Sequence, residues 1–306
     1  MIKYSVIIPV YNGETTVKPL FNRLKSFFEG QSYFYEVIFV YDCGKDNSWE
    51  VLMQLKQEFS NLIKLIKLSR NFGQHNALIC GFKYSSGNFI ITMDEDLQHA
   101  PEDIIKLINK QKESDFDLVY GKYEELNHSF FRNISSKALK GIINIGIPEI
   151  HPDYTAFRLI KSTVAMSTIE MRNSYTFLDG YLSWITTQVS SCVVSHNERQ
   201  GGVSAYTYKK LINHTINIFV TFSDLPIRFL SKFSIGLLIG MCFYAIYIFF
   251  RKVMINDFAI GFPSLILAIG FGVGFIMLAL GIIGEYIYRI NLKTTRRPNY
   301  NVDRVL

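Results

Sequence analysis

The sequence is poor in cysteine and has none of the spacings that mark a disulfide framework or a zinc site. Its four cysteines, Cys43, Cys80, Cys192 and Cys242, are scattered without a CxxC pair. This pattern excludes a small disulfide-stapled fold and indicates a reducing compartment. A GxGxxG loop is also missing, so dinucleotide binding has no support. We expect no signal peptide, because after Lys3 the chain enters a short apolar strand.

Charge is scarce as well. Only 19% of the residues are charged, whereas 49% are hydrophobic and 15% aromatic, which points toward a membrane protein. The net charge of +6 is dispersed along the chain. It is too small to indicate nucleic acid, so we expect no nucleic-acid partner. A charge of this size suits an anionic membrane surface or phosphorylated substrates.

Short β-type runs alternate with amphipathic stretches through the first part of the chain. The runs are Tyr4 to Val10, Val37 to Tyr41, Ile63 to Leu68, Phe89 to Met93 and Leu118 to Gly121. This alternation predicts βαβ units and a mostly parallel sheet. Right-handed crossovers place every strand-to-helix loop at one edge of such a sheet. We therefore expect Tyr11, Asp42, Arg70 and Asp94 to gather around one cleft.

An acidic stretch follows the fourth of these runs. Asp94, Asp96 and Gln98 alternate, so in an extended chain their oxygens face the same side. Such oxygens suit a hard cation, Mg²⁺ or Mn²⁺, held together with substrate phosphates. The alternative is acidic capping of a helix that begins near Pro101. Capping explains the acids that follow Pro101, but not the three oxygen-bearing residues before it.

Two long uncharged runs lie near the end of the sequence. Phe233 to Phe250 has 18 residues and Phe258 to Gly284 has 27. A bilayer-spanning helix needs about 20 apolar residues. The runs therefore predict a transmembrane hairpin over residues 231–288, with spans at about 233–250 and 260–284.

The segments on either side of this hairpin differ in character. Residues 206–230 show an apolar stripe at helical spacing, which fits an interfacial helix or an ordinary surface helix. The tail, residues 289–306, is rich in Arg and Lys. The positive-inside rule therefore predicts that the tail and the portion before the hairpin are both cytoplasmic.

Eight stretches of the chain together resemble family 2 glycosyltransferases of the polyprenyl-phosphate branch. That branch includes bactoprenol glucosyltransferases, undecaprenyl-phosphate aminosugar transferases and dolichyl-phosphate mannose synthases. The resemblance covers nearly the whole chain. It implies an α/β fold, in which residues 1–205 form a GT-A (Rossmann-like) nucleotide-sugar domain before the two-helix transmembrane hairpin. The stretches are SVIIPVYNGE, YDCGKDNS, LSRNFGQHNALICGF, ITMDEDLQHAPED, FRLI, FLDGYLSW, ERQGGVSAY and IIGEYIYR.

The resemblance also implies roles for individual residues. Asp94, Asp96 and Gln98 match the metal and diphosphate motif, and Asp96 is expected to be catalytic. Asp153 matches an acid near the acceptor and is the second expected catalytic residue. Contacts with the nucleotide sugar are implied for Pro9, Tyr11, Glu14, Asp42, Arg70, Asp94 and Glu95. Phosphate binding is implied for Arg132, Arg199 and Tyr206.

The chain departs from the family pattern at three positions. Tyr41 stands where many members have an Asp, Ala156 where many have an acid, and Ala205 where many have a Lys. The first departure bears on the identity of the base and the second on the assignment of a general base. The third removes one phosphate-binding cation.

The implied activity is that of an inverting glycosyltransferase that uses Mg²⁺ or Mn²⁺. It would move a sugar from a nucleotide-diphosphate sugar, a UDP-hexose or UDP-aminosugar, to polyprenyl (undecaprenyl) phosphate. The implied place is the cytoplasmic face of a bacterial inner membrane, as a homo-oligomer in contact with the lipid bilayer. The product would serve cell-envelope or O-antigen (lipopolysaccharide) glycan modification. Alternatives are a membrane-anchored transferase acting on a lipid-linked glycan and a non-catalytic scaffold with a decayed transferase domain.

The role of Asp153 has two interpretations. The family pattern makes it the general base that activates the acceptor. A phosphate monoester has a second pKa of about 6, so near neutrality it is already a nucleophilic dianion. We therefore expect Asp153 chiefly to orient nearby groups, such as Arg158 or Arg199.

Overall fold

The structure is a computed structural model, and it describes most of the chain. The described residues are 3–123, 147, 149–171, 173, 175–195, 215–218, scattered positions between 221 and 254, 261–294 and 298–306. Within them an eight-stranded sheet has the order β7-β5-β6-β4-β1-β2-β3-β8. The strands are β1 Lys3–Val10, β2 Phe34–Tyr41, β3 Ile63–Leu68, β4 Phe89–Thr92, β5 Leu118–Tyr123, β6 Arg158–Lys161, β7 Val189–Val194 and β8 Val302–Val305.

The centre of the sheet is parallel, as the alternation of strands and helices predicts. β1 pairs in parallel with β2 and β4, and β2 pairs in parallel with β3. From Tyr4 onward every residue of β1 is buried. A strand covered on both faces has to be apolar almost throughout, which explains the unbroken run SVIIPV.

Two antiparallel strands make the sheet mixed. β6 lies between β4 and β5 and is antiparallel to both. β8 pairs antiparallel with β3 at one edge. The sequence analysis placed residues 302–305 in a plain tail, so this edge strand was missed.

Helices cover both faces of the sheet. α1, α2 and α4 pack on one face around a cluster that includes Phe21, Phe39 and Leu107. α3, α5 and α6 pack on the other face around a cluster that includes Ile66, Phe82 and Tyr181. The helices are α1 Val17–Gln31, α2 Ser48–Glu58, α3 Gln74–Tyr84, α4 Ile104–Ser114, α5 Ser162–Ser167, α6 Leu178–Ile185 and α7 Phe262–Thr294, with a 3-10 turn at Pro101–Asp103.

α7 covers most of the second predicted span, 260–284, and continues ten residues beyond it to Thr294. Large apolar side chains along the helix are exposed, among them Leu265, Ile276 and Ile287. Among the residues that the structure describes, we find no helix whose length and apolar content together would suffice to cross a membrane. The hairpin, its spans and the domain boundaries stay predictions. The sequence also predicts a helix around residues 130–145, and these residues lie outside the described ones.

The end of α7 contacts the described residues 217 and 221–223. Arg289 pairs with Glu285, one turn before it in the helix, at 2.8 Å. The Arg289 Nη1 also donates to Thr221 Oγ1 at 2.9 Å. Phe222, in the same segment, packs on Trp184 of α6 with ring centroids 4.9 Å apart. α7 is thereby connected to the face of the sheet that carries α6.

Candidate active site

The loops after β1 and β2 are connected by hydrogen bonds from backbone amides of each loop to side chains of the other. The amide of Gly13 donates to Ser48 Oγ at 2.8 Å, and the amide of Glu14 donates to Asp46 Oδ2 at 2.9 Å. The amide of Lys45 donates to Asn12 Oδ1 at 2.7 Å. These bonds make residues 11–14 and 42–48 one platform at the carboxyl edge of the sheet, where open α/β folds bind ligands.

The three residues expected to touch the nucleotide from the first loop occupy different environments. Pro9 is buried within β1 opposite Val40. The Glu14 carboxylate accepts from the amide of Asn47 at 3.2 Å and from its side-chain nitrogen at 3.1 Å. Only Tyr11 presents an exposed ring, with 39% of its surface accessible. Pro9 thus belongs to the core, whereas Tyr11 and Glu14 are both exposed at the platform, and Glu14 also binds the loop after β2.

Asp42 is buried at the end of β2 and binds the loop after β3. Its Oδ1 accepts from the amide of Phe72 at 2.7 Å and its Oδ2 from the amide of Gly73 at 2.8 Å. Burial raises the pKa of Asp42, and the two amide bonds act against that rise. Each carboxylate oxygen has further lone pairs, so the expected contact with a base stays a prediction. The role that the structure gives Asp42 is to hold the turn at Gly73, whose φ of 89° favours glycine.

The residue before Asp42 is one of the departures from the family pattern. The Tyr41 hydroxyl donates to the carbonyl of Gly44 at 3.0 Å, and its ring tilts against Trp49 at 5.5 Å. Tyr41 is buried. Tyr41 therefore supports the loop 42–48 through both its ring and its hydroxyl. The shorter acidic side chain found in many family members would not pack against Trp49 in this way.

Arg70 is exposed on the loop after β3. Its guanidinium carbon lies 4.7 Å from the centroid of the Phe72 ring, a cation–π distance. Because the Phe72 amide is held by Asp42, this contact ties the position of Arg70 to the platform. Arg70 is thus a cation at the sheet edge, as expected.

The acidic motif, Asp94 to Gln98, follows β4 at the same edge of the sheet. Gln74, at the start of α3, donates to Asp94 Oδ1 at 2.5 Å. The Glu95 Oε1 accepts from the amide of Tyr11 at 3.3 Å, so the motif also contacts the first loop. Burial and the neighbouring Asp94 raise the pKa of Glu95 to about 8. Asp42, Arg70, Asp94 and Tyr11 therefore share one edge, as predicted.

Asp94, Asp96 and Gln98 provide oxygen atoms of the kind that Mg²⁺ and Mn²⁺ prefer, but other ligands have to complete the coordination. Within the described ranges, no group of three His, Cys, Asp or Glu side chains is arranged to hold a metal. Asp96 Oδ1 accepts from the amide of Gln98 at 3.1 Å, in a turn that includes Leu97 at a φ of 64°. Mg²⁺ is commonly bound by one or two carboxylates together with substrate phosphates. Asp94 and Asp96 fit that arrangement, in which phosphate groups of a substrate supply the remaining ligand oxygens.

His99 is part of this site, and the sequence analysis overlooked it. It is buried, and its Nδ1 accepts from the amide of Asp94 at 3.3 Å. Its Nε2 meets the hydroxyl of Tyr123, and the ring stacks on Phe157 with centroids 5.1 Å apart. His99 therefore fixes the backbone at the start of the acidic motif. Its position directly after DEDLQ was the available signal.

Asp153 is held by residues other than those expected. Its Oδ1 lies 3.2 Å from Lys122 Nζ, and its Oδ2 accepts from Ser191 Oγ at 2.8 Å. Partial burial alone would raise its pKa, but the Ser191 hydroxyl and the Lys122 ammonium lower the pKa below its usual range. A general base works best with a pKa near the operating pH. This environment favours the orienting interpretation.

Arg158, one expected partner of Asp153, pairs with a different acid. Its Nη1 donates to Asp179 Oδ1 at 2.8 Å, and the Tyr120 hydroxyl donates to the same oxygen at 2.9 Å. Arg158 is only 1% exposed. The expectation that Asp153 orients Arg158 is therefore wrong, because Arg158 forms a buried ion pair that joins β6 to α6. Arg132, Arg199 and Tyr206 lie outside the described residues, so their phosphate-binding roles stay predictions.

Comparison with known proteins adds relatives over the whole length. The model of the family described as "Glycosyl transferase family 2" matches residues 5–168. "Uncharacterized glycosyltransferase YkcC" of Bacillus subtilis is 32% identical over 99% of this chain and 94% of its own length. The "Undecaprenyl-phosphate 4-deoxy-4-formamido-L-arabinose transferase" of Edwardsiella ictaluri is 30% identical over the same shares.

Solved structures show the same fold at low identity. Glucosyl-3-phosphoglycerate synthase of Mycobacterium tuberculosis gives a TM-score of 0.54 at 13% identity, over 72% of this chain and 79% of that chain. A mannosyltransferase of Pyrobaculum calidifontis, in complex with GDP-Man and Mn²⁺, gives 0.52 at 12% identity, over 71% and 62%. The expected α/β, GT-A-like fold of the nucleotide-sugar domain is thereby confirmed.

Proposed function

The chain belongs to glycosyl transferase family 2, and we propose that it transfers a sugar from a nucleotide-diphosphate sugar to undecaprenyl phosphate. Relatives named as undecaprenyl-phosphate transferases, from Edwardsiella ictaluri and Photorhabdus laumondii, align over 99% of this chain. An alignment of that extent includes the segment after the nucleotide-sugar domain as well as the domain itself. We propose a UDP-hexose or a UDP-aminosugar as the donor.

One observation carries this proposal: the loops after four parallel strands are joined by hydrogen bonds at one edge. Asp42 binds the loop that carries Arg70, Gln74 reaches Asp94, and Glu95 reaches the amide of Tyr11. The edge offers an exposed ring, a cation and a group of carboxylates. These are the groups that a nucleoside diphosphate with a bound cation would need.

A divalent cation fits the carboxylate side of this edge. We propose that Asp94 and Asp96, with Gln98 beside them, would hold Mg²⁺ or Mn²⁺ together with the donor phosphates. When bound, such an ion neutralises the charge that builds up on the leaving diphosphate. Arg70 lies at the same edge and would add a second positive charge toward the donor.

The acceptor side centres on Asp153 and Lys122. We propose that the Asp153 carboxylate, which is ionised near neutrality, holds the Lys122 ammonium in place. An acceptor phosphate is a dianion near neutrality, so it needs a cation more than it needs a base. Attack by that oxygen on the sugar, from the side opposite the leaving diphosphate, would invert the anomeric centre.

Membrane attachment belongs to the proposal. A polyprenyl acceptor lies in the bilayer, and the runs Phe233 to Phe250 and Phe258 to Gly284 are free of charged residues. β8 pairs with β3, so residues 302–305 belong to the same sheet as the nucleotide-sugar domain, and this supports the proposal that both lie on one side of the membrane. That placement agrees with an even number of crossings, and hence with a hairpin whose two ends are cytoplasmic. We also propose the inner membrane and a homo-oligomer, as the family resemblance implies.

The proposal is tested with the full chain purified in detergent. UDP- and GDP-sugars are supplied with undecaprenyl phosphate, and release of the nucleoside diphosphate is followed with Mg²⁺, with Mn²⁺ and with excess chelator. We expect release that needs both lipid and cation, and its loss in Asp96→Ala.

The matched control for that variant is Asp115→Ala. Asp115 is an exposed acid just before β5, at the opposite edge of the sheet, and its removal should leave release unchanged. Full release in excess chelator, or equal release by Asp96→Ala and Asp115→Ala, would refute the cation assignment.

A further inference from the structure

Residues 298–306 do more than cover the edge of the sheet. β8 pairs with β3, Ile66 opposite Val305 and Lys67 opposite Arg304. Leu306 and Leu65 exchange two backbone bonds, at 2.8 and 3.0 Å. An exposed edge strand is a hazard that proteins cover, and covering alone would explain this pairing.

The pairing continues beyond β3 into the donor loop, residues 69–73. The amide of Ser69, the first residue of that loop, donates to the carbonyl of Asn301 at 2.9 Å. The register shifts between Lys67 and Leu68, so Asp303 has no residue opposite it in the ladder. Such bulges redirect a strand, and here the shift occurs directly before the loop. Edge covering does not require either feature.

The donor loop therefore has two anchors. Asn301 holds its beginning at Ser69, and Asp42 holds its end at Phe72 and Gly73. The Cys43 thiol adds a contact with the carbonyl of Leu68 at 3.0 Å. Between the two anchors lies Arg70, the exposed cation of the site.

The segment 298–306 is itself fastened to the body of the domain. The side-chain nitrogen of Asn299 donates to the carbonyl of Met171 at 3.0 Å. Tyr300 is half-buried and packs against the cluster that contains Cys80 of α3, the helix that begins with Gln74. The segment that carries Asn301 thus packs against the cluster around α3, and α3 also contacts Asp94 through Gln74.

We propose that residues 298–306 are a positioning segment for the donor site. They hold the loop 69–73 in the conformation that presents Arg70 to the nucleotide. This inference rests on the proposed function, since it assumes that the edge binds a nucleotide-sugar donor. It extends that function by giving the chain after α7 a role in donor binding. The segment touches the loop and not the substrate, so none of its residues is catalytic.

The test releases the segment without altering the site. Asn299→Ala combined with Tyr300→Ala removes the bond to Met171 and the buried ring. Arg304→Ala, at an exposed position of β8 in the same segment, is the matched control, and Val302→Ala is a milder second variant. Hydrogen exchange is measured over residues 63–73 and, as a check on folding, over α4. Binding of UDP and of GDP and the donor KM and kcat are measured in the same proteins.

We expect faster exchange at residues 69–73 in the double variant, with α4 unchanged. Loss of one anchor should raise the nucleotide Kd and the donor KM by about fivefold to tenfold and leave kcat within about twofold. Arg304→Ala should match the unaltered protein, and Val302→Ala should fall between the two.

Unchanged exchange over residues 69–73 in a folded double variant would overturn the inference, because the segment would then only cover the edge. So would a fall in kcat with an unchanged donor KM. If neither nucleotide binds the unaltered protein, the proposed function fails, and the exchange data still decide whether the segment holds the loop.

Discussion

Replacing Asp153 by Asn separates the two interpretations of the acceptor side. The carboxylate lies 3.2 Å from Lys122 Nζ and accepts from Ser191 Oγ at 2.8 Å. Its pKa is below the usual range, so near pH 7 it is almost never protonated and a proton has little tendency to stay on it. We therefore expect Asp153→Asn to be impaired because Lys122 loses its partner, and not because a base is missing.

The size of the loss follows from these contacts. Asp153 is 23% exposed and Lys122 49%, so their ion pair contributes only about 1 kcal/mol after screening by solvent. The bond from Ser191 can still form with the Asn oxygen but loses its charge assistance, which adds about 1 kcal/mol. If all of this energy orients Lys122 in the transition state, the rate should fall by about thirtyfold. Removing a general base can cost as much as about 10⁴-fold.

A double-mutant cycle makes the distinction sharp. If Asp153 acts through Lys122, then Asp153→Asn should cost nothing further once Lys122→Ala is present. Raising the pH from 6 to 8 should recover part of the rate of Asp153→Asn, because the acceptor phosphate then becomes fully dianionic. The assay is transfer to undecaprenyl phosphate, with the KM of each substrate measured. The reasoning is refuted if Asp153→Asn is inactive at every pH with both substrates still bound, while Lys122→Ala keeps most of its activity.

Three further predictions concern stability and the loops. Glu36 is buried, and burial alone would raise its pKa, but bonds from Ser5 and Ser86 lower it. A lowered folded pKa stabilises the protein above the ordinary carboxyl pKa, so Glu36→Gln should lower the free energy of unfolding by about 1–3 kcal/mol at pH 7. That difference should shrink as the pH falls below about 4, and a constant difference in denaturation curves from pH 7 to 3 would contradict it. Asp42→Asn should raise the donor KM by about tenfold, because one of two charge-assisted bonds to the loop becomes a clash of N–H groups. Faster hydrogen exchange at Phe72 and Gly73 would accompany it, and unchanged exchange would argue against the anchor. Gly180→Ala would place a Cβ 2.5 Å from the ring of Phe222, so it should destabilise by about 1–3 kcal/mol and expose residues 215–223 to protease. Gly30→Ala, in α1 with no atom within 4 Å of the added Cβ, is its control and should not lower the unfolding temperature.

The parallel half of the fold could be predicted from local pattern. β1 to β4 are apolar runs with turn residues after them, and β3 begins and ends at the residues predicted, Ile63 and Leu68. The gathering of Asp42, Arg70 and Asp94 follows from chain topology alone, because right-handed crossovers bring the loops of parallel strands to one edge.

Long-range pairing could not be predicted in the same way. β8 is four residues long and two of them are charged, so nothing local distinguishes it from a tail; its partner β3 lies far away in the sequence. The partners of Asp153 are equally remote, since Lys122 lies on β5 and Ser191 on β7. Two strands that become neighbours only in the folded sheet decide the environment of that carboxylate.

The mass of the lipid product tests the central claim most directly. The full chain is incubated with undecaprenyl phosphate, Mg²⁺ or Mn²⁺, and each UDP- or GDP-sugar in turn, and the lipid fraction is weighed by mass spectrometry. The account predicts a product heavier by one sugar residue that keeps a single phosphate, formed from at least one donor. A lipid carrying the sugar on a diphosphate, or release of free sugar with the lipid unchanged under every donor, would contradict it.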